Sequence, residues 1–132
     1  MKALFCGGSD WRDERIIFSF IWGLFETVDL KEETVVLLTT GDKGAGALAL
    51  RAAEKVNKLI QPFLRHDDIN IKSFAIPEEN FSMASGYSRN LDIIDREKPD
   101  VIFAFVDDPD SSAGTKHLLE LAQEREIGRA HV

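Results

Sequence analysis

Three short segments of the chain are rich in glycine and hydroxyl side chains, and each follows an apolar run and precedes a helical pattern. They are residues 7–11 (Gly-Gly-Ser-Asp-Trp), residues 40–46 (Thr-Gly-Asp-Lys-Gly-Ala-Gly) and residues 111–115 (Ser-Ser-Ala-Gly-Thr). Glycine lets the backbone approach a ligand closely, and free N–H groups at the start of a helix attract anions. The three segments therefore predict loops that bind a phosphate-bearing small molecule.

The first and third segments also have a purely structural interpretation, which the sequence leaves open. Ser9 or Asp10 could simply cap the helix that follows the first segment, with its glycines forming a tight turn. Ser111 or Ser112 could cap the helix after the third segment in the same way. Trp11 either stacks on the base or ring of a ligand or packs in the core.

The second segment matches neither of the common phosphate-binding motifs. It lacks the Gly-Lys-Ser/Thr ending of a P-loop and the Gly-x-Gly-x-x-Gly spacing of a dinucleotide-binding loop. Lys43 either contacts a phosphate or stays solvated as a loop lysine. Arg89 and Asn90 belong to a predicted helix beside the expected crevice, and arginine binds phosphate or carboxylate through two parallel hydrogen bonds, although an isolated helical arginine is usually solvated.

Side chains that ligate metals are present, but they are not arranged as a site. Three aspartates fall within residues 107–110, yet acidic loops at strand ends are common, so we expect no metal there. Surface or capping roles suit the three histidines, which are His66, His117 and His131. The one cysteine, Cys6, ends an apolar run and is expected to be a small buried hydrophobic residue. We expect no bound metal and no cofactor.

Composition limits the classes of partner. The 132 residues carry a net charge of −7, and a uniformly acidic surface repels nucleic-acid polymers. This length suits a single domain, residues 1–132, and no linker-like segment divides it. No apolar stretch approaches the roughly 20 residues that cross a bilayer, and the stretch before Gly7 is too short for a signal peptide. We therefore expect a cytoplasmic protein without a membrane partner.

Apolar runs that contain β-branched and aromatic residues predict strands. They are residues 2–6, 34–39, 69–76 and 101–106, with a possible short fifth strand at 129–132. Helical spacing of apolar residues predicts the segments between them. The predicted helices begin near residues 11–13 and stop by about residue 29, then cover 47–64, 85–96 and 113–126. Pro62 is expected to bend or end the second helix, and residues 65–68 form a polar turn.

The alternation of strands and helices predicts an α/β fold. Strands that are apolar on both faces pair in parallel and need helices on both sides. We expect a Rossmann-like, doubly wound parallel sheet in the order 3-2-1-4-5, within a three-layer α/β/α arrangement. Ligands of such sheets bind outside the carboxyl ends of the strands where the order reverses, which is between strands one and four here.

Four segments together are similar to a known family. They are residues 7–11, residues 41–46 with Ala49 and Ala53 beyond, residues 84–90 (Ala-Ser-Gly-Tyr-Ser-Arg-Asn) and residues 112–115 (Ser-Ala-Gly-Thr). In this order they resemble motifs of the SLOG superfamily of nucleotide-binding Rossmann-like domains, related to the Lonely Guy and DprA proteins, and most closely its YspA/cpYpsA-related branch. The resemblance spans nearly the whole chain. It implies binding of a nucleotide or nucleotide-derived molecule, with phosphate at the helix start formed by Gly114 and Thr115.

The resemblance also implies an enzymatic alternative. Lonely Guy-type relatives are phosphoribohydrolases that cleave the base from a nucleoside monophosphate, using an arginine and the glutamate of a Gly-Gly-x-Gly-Thr-x-x-Glu segment. Arg89 matches the arginine, but Leu118 stands at the position of the glutamate. Glu120 lies about 200° further round a helix, and Gly46 stands where the branch commonly has aspartate. The carboxylates that could replace the glutamate are Asp10, Asp42 and Asp107.

We therefore expect first a protein that binds a nucleotide-derived ligand, for sensing or sequestration, and second a phosphoribohydrolase-like enzyme with Arg89 and Asp10 as catalytic residues. The residues expected to bind the ligand are Gly7, Gly8, Ser9, Asp10, Trp11, Gly41, Asp42, Lys43, Arg89, Asn90, Ser111, Ser112, Gly114 and Thr115. A third hypothesis is an oligomeric interaction module with a degenerate site. It rests on a first helix that is apolar on more than one face, which favours a homodimer or higher homo-oligomer; the residues are Phe18, Ile21, Trp22 and Phe25.

Overall fold

The structure is a computed structural model that describes residues 1–28, 33–60 and 69–131. In this part of the chain, parallel strands form one sheet in the order β3-β2-β1-β4-β5. The strands are Lys2–Gly7 (β1), Val35–Thr39 (β2), Ile69–Ser73 (β3), Val101–Phe105 (β4) and Gly128–His131 (β5). The α-helices are Glu14–Thr27 (α1), Ala45–Ile60 (α2), Met83–Asp92 (α3) and Ala113–Glu124 (α4). The predicted α/β class, doubly wound sheet and strand order are confirmed.

The core lies on both faces of the sheet, because successive residues of a strand point to opposite sides. In β1, Ala3 and Phe5 pack with α1 and α2, whereas Leu4 and Cys6 pack with α4 and the π-helical turn Ile93–Glu97 that follows α3. All four of these side chains are buried. The inner positions of a strand covered on both sides are therefore all apolar, which is the pattern that predicted a parallel sheet. Among the described helices, none has the length and apolar character needed to cross a membrane.

The start of α1 differs from the prediction, because Asp13 caps it. The Asp13 carboxylate accepts hydrogen bonds from the backbone N–H groups of Arg15, at 3.1 Å, and Ile16, at 3.3 Å. The helix consequently begins at Glu14, whose negative charge suits the positive end of the helix dipole. An anionic side chain of the protein itself therefore occupies the N-terminus of α1.

Ser9 and Asp10 do not cap α1, so that prediction was wrong. They lie in a turn that follows β1, in which the Gly8 N–H donates to the carbonyl of Phe105 at 3.0 Å and the Trp11 N–H donates to the carbonyl of Gly8 at 3.3 Å. Because the turn extends through Trp11, the helix starts only after it.

Other boundaries shift for identifiable reasons. The helix α2 begins at Ala45, before residue 47, because the Leu48 N–H already donates to the carbonyl of Gly44 at 3.0 Å. The strand β3 ends at Ser73 instead of continuing through residue 76, and α3 begins early, at Met83, because Ser82 caps it. Pro62, the predicted end of α2 and the predicted turn at residues 65–68 lie outside the described residues.

Candidate functional site

A cavity of about 470 Å³ opens at the carboxyl edge of the sheet, beside the ends of β1 and β4. The strand order reverses at this point, and the volume is typical of pockets that bind small molecules. Most of the predicted site residues line it. They are Gly7, Gly8, Ser9, Asp10, Asp42, Lys43, Arg89, Ser111, Ser112, Gly114 and Thr115. The three predicted loops, which are far apart in the sequence, therefore meet at one cavity.

The loops after β1 and β2 pack against each other through backbone. Gly44 has a φ of +90°, and a Cβ atom there would overlap the carbonyl oxygen of Gly8. A Cβ atom at Gly7 would overlap the carbonyl oxygen of Phe105 in the same way. The interpretation of Gly7 as a tight-turn residue is thus correct, and Gly44 lets the loop after β2 approach the loop after β1 at the cavity.

The start of α4 has a different structure. Ser112 occupies the N-cap position, yet its side chain makes no capping hydrogen bond. Its hydroxyl instead donates to the Thr115 hydroxyl at 2.9 Å, and the Ser111 hydroxyl donates to the carbonyl of Asp108 at 2.6 Å. The interpretation of these serines as simple caps was therefore wrong. The first backbone N–H groups of α4 are left without a side-chain cap at the edge of the cavity.

Gly114, in the first turn of α4, has no packing reason to be glycine. A Cβ atom built there meets no other atom within 4 Å, and its φ is not in the left-handed region. Glycine destabilises a helix by roughly 1 kcal/mol relative to alanine. Its presence here opens the helix start to close approach by another molecule.

Arg89 is held by an ion pair across the cavity. Its Nη1 atom lies 2.7 Å from Asp42 Oδ2 and 2.8 Å from Asp42 Oδ1, and its Nε atom donates to Asn90 Oδ1 at 3.2 Å. The Arg89 side chain is only 10% exposed and that of Asp42 is 31% exposed. This pairing fixes the orientation of the guanidinium group and neutralises part of its charge.

Asn90 is fully buried and joins α3 to α4. Its Nδ2 atom donates to the carbonyl oxygen of Gly114 at 3.2 Å and lies 3.2 Å from His117 Nδ1. Because the amide also receives the Arg89 bond, it links the ion pair to the start of α4. Asn90 therefore positions the site without lining the cavity.

His117 accepts the Asn90 bond as a neutral imidazole. Its ring packs on the ring of Tyr87, with centroids 4.2 Å apart. Burial lowers the pKa of His117, although the charges of Glu120 and Glu124 act in the opposite direction. A neutral ring with Nδ1 as acceptor fits the hydrogen bond from Asn90.

The floor of the cavity is apolar and chemically inert. Cys6 and Leu118 both line it and are buried. Burial raises the pKa of the Cys6 thiol to about 12, while the weaker effect of the Arg89 charge lowers it. A neutral buried thiol is a poor nucleophile, so Cys6 acts as the small hydrophobic residue that the sequence predicted.

The chain matches no protein-family model, no curated protein and no solved structure. The SLOG resemblance therefore stays a prediction, and the function is argued from this chain's own geometry.

Three predicted ligand-binding residues do not line the cavity. Trp11 packs edge-on against Phe105, with ring centroids 5.9 Å apart, and its indole N–H donates to the carbonyl of Asp13 at 2.9 Å. This is the core alternative that the sequence left open for Trp11. Gly41 has a φ of +70°, and a Cβ atom there would overlap the Ser73 hydroxyl, so its role is in loop packing. Asn90 is the third.

Among the lining residues that were not predicted to bind a ligand, three large ones belong to one stretch of the chain. Phe81, Met83 and Tyr87 form one side of the cavity, which we name the apolar wall. No strand or helix was predicted between residues 76 and 85, so Phe81 and Met83 received no role, and Tyr87 was named only as part of the segment 84–90. The sequence did contain a signal for this wall. Two large apolar residues, Phe81 and Met83, flank Ser82 in a segment that has no helical or strand period to bury them.

Proposed function

We propose that the protein binds a nucleotide or nucleotide-derived small molecule, with its phosphate at the start of α4. The observation that carries the proposal is the uncapped first turn of α4, Ala113–Thr115, at a cavity that also receives the loops after β1 and β2. Backbone N–H groups and the helix dipole favour an anion at such a position without a net positive charge on the protein.

The charges that line the cavity favour a ligand with few phosphates. In the described part of the lining, the carboxylates of Asp10 and Asp42 offset the cations of Lys43 and Arg89. The attraction for an anion then comes from the helix start, which is equivalent to about half a positive charge. One phosphate group suits this site better than a polyphosphate does.

Ligand-induced stabilisation tests the proposal. AMP, ADP-ribose and cyclic dinucleotides are each added at millimolar concentration and the midpoint of thermal unfolding is measured. A ligand at a hundredfold excess over its Kd stabilises a fold by about 2.7 kcal/mol. Absence of a shift with every one of these ligands would contradict the proposal.

The Gly114→Asp variant makes the test specific to the helix start. A side chain fits there without a clash, and a carboxylate in the first turn favours the helix. We expect a fold at least as stable as the wild type but a loss of the thermal shift, because the carboxylate repels phosphate. Gly23→Asp is the matched control, since Gly23 of α1 also has open space and lies outside the cavity. It should retain the full ligand response.

A second candidate function is cleavage of an N-glycosidic bond, and Asp10 is the observation that favours it. Its exposed carboxylate lines the cavity, whereas Asp42 is engaged by Arg89. A carboxylate near the ribose would stabilise the positive charge that develops on the sugar. Chromatography of AMP after incubation tests this candidate. Free adenine that disappears with Asp10→Asn would support hydrolysis, and unchanged AMP would exclude it for this substrate.

We also propose that α1 mediates self-association. Ile21 is buried in the core, but Trp22 is 38% exposed, and Phe20 is still 36% exposed although its ring packs on Phe103 and Phe105 of β4. Sedimentation at micromolar concentrations tests this, and a strictly monomeric profile would remove the dimer from the proposal.

A further inference from the structure

The apolar wall places large exposed hydrophobic side chains inside the cavity. Phe81 is 52% exposed and Met83 is 62% exposed, although both are side chains that proteins usually bury. Single exposed apolar residues are normal on protein surfaces, but two that line the same concave site are typical of ligand pockets. The third member, Tyr87, is half-buried and packs on His117.

The wall is held in place by a capped helix start. The Ser82 hydroxyl accepts the Ser85 N–H at 3.1 Å, and the Ser85 hydroxyl accepts the Ser82 N–H at 2.8 Å, which completes a capping box. The Phe81 ring lies over Gly86, where a Cβ atom would meet Phe81 Cζ at 3.5 Å. The Phe81 ring and the backbone on either side of Ser82, from which Met83 projects, are therefore held before any ligand arrives. Such preorganisation reduces the entropy that is lost on binding.

We infer that Phe81 and Met83 hold the flat heteroaromatic ring of the ligand by contact with its face, an inference that rests on the proposed phosphate site. A phenyl ring and a thioether both make favourable contacts with aromatic faces, and neither donates a hydrogen bond to a base edge. Recognition of this kind depends on the area of the ring and tolerates different bases. A purine should therefore bind more tightly than a pyrimidine.

Phosphate at α4 and the ring at the wall together describe a ligand that spans the cavity. Trp11, the aromatic residue that the sequence suggested for the ring, cannot take this role because its ring packs on Phe105 outside the lining. The ring-binding residues therefore belong to the connection after β3, and the phosphate-binding residues belong to the connection after β4.

Methionine methyl resonances report directly on this contact. The chain contains two methionines, Met1 and Met83, and Met1 precedes β1 at the opposite edge of the sheet, where its amino group donates to the Thr34 carbonyl. We expect AMP to shift the Met83 methyl resonance through the ring current of adenine. Ribose 5-phosphate, which lacks the base, should bind without a comparable shift, and Met1 should respond to neither compound.

Variants of the wall separate the ring from the phosphate. Phe81→Ala should weaken AMP binding about tenfold or more, because base stacking on an aromatic side chain contributes about that much. Its affinity for ribose 5-phosphate should stay within about twofold of the wild type. Met83→Ala is the second variant, because Met83 does not pack on Gly86 and its removal leaves the start of α3 intact. Leu59→Ala is the control, since Leu59 of α2 is 56% exposed and lies outside the cavity.

The outcomes distinguish the ring site at the apolar wall from the phosphate site at α4. A moving Met83 resonance together with a selective loss of AMP affinity in both wall variants supports the inference. Equal affinities for AMP and ribose 5-phosphate, with an unmoved Met83 resonance, would overturn the ring site and leave the phosphate site standing. Failure of both compounds to bind the wild-type protein would overturn the phosphate site and the ring site together.

Discussion

The starts of α1 and α4 look alike in the sequence and differ in the structure. Both follow central strands of the sheet, and both are preceded by serine and aspartate. At α1 the Asp13 carboxylate accepts two backbone N–H groups, so the protein supplies its own anion. At α4 the Ser112 hydroxyl turns to Thr115 instead, and the N–H groups stay without a side-chain cap. The hydrogen bonds of the N-cap side chain therefore decide which helix start is available to a ligand.

The largest expected effect comes from Asn90, because α4 depends on it and α1 has no equivalent. Asn90→Ala would remove the bonds to Gly114, His117 and Arg89 and leave buried polar groups unsatisfied. We expect a loss of about 2–3 kcal/mol in the free energy of unfolding, together with weaker ligand binding. Urea denaturation measures the first effect and thermal shift the second.

Ser88→Ala is the control for Asn90→Ala, since Ser88 is exposed on the same helix. It should change stability by less than about 0.5 kcal/mol. If Asn90→Ala had an equally small effect, the start of α4 would have to be positioned by other contacts.

An intermediate effect is expected when the side-chain cap of α1 is removed or a side-chain cap is added to α4. Asp13→Ala should destabilise the fold by about 1 kcal/mol and leave the ligand-induced thermal shift unchanged, because α1 offers no site. Ser112→Asp should stabilise α4 by a similar amount, about 1 kcal/mol, and abolish that shift, because a carboxylate would occupy the N–H groups. Thermal unfolding with and without AMP measures both variants. A ligand response lost in Asp13→Ala and kept in Ser112→Asp would reverse the assignment of the two helix starts.

The sequence predicted the sheet well because burial on both faces requires continuous apolar runs. β1 is the clearest case, since each of its inner residues, Ala3 to Cys6, packs against a helix layer. Right-handed crossovers limit the possible orders without selecting one, and the expected order 3-2-1-4-5, which the structure has, places the crevice between strands one and four. The convergence of residues 7–10 and 111–115 could therefore be predicted without knowledge of any side-chain contact.

Side-chain contacts across the site could not be predicted in this way. The partner of Arg89 is Asp42, 47 positions away, and their pairing depends on how α3 docks beside the loop after β2. Asp10 and Asp13 are equally good N-caps by residue type, and only the turn at Gly8 selects Asp13. The apolar wall at Phe81 and Met83 was missed because a helical or strand period identifies buried faces, whereas these side chains are exposed.

The smallest expected effect is a pH dependence, which arises at α4 through His117. Its pKa in the folded state lies below the ordinary value of 6.5 because of burial. At pH values between the folded and the unfolded pKa, the unfolded chain therefore binds more protons than the folded protein does. The free energy of unfolding then rises with pH in this interval. The stabilisation is complete above the unfolded pKa and is lost as the pH falls through the folded pKa.

The His117→Asn variant tests this dependence. Its amide oxygen keeps an acceptor for Asn90 but does not titrate. Urea unfolding at pH 7 and pH 5 should therefore show a smaller loss in the variant than in the wild type. An equal loss would mean that acid weakens the protein at groups other than His117.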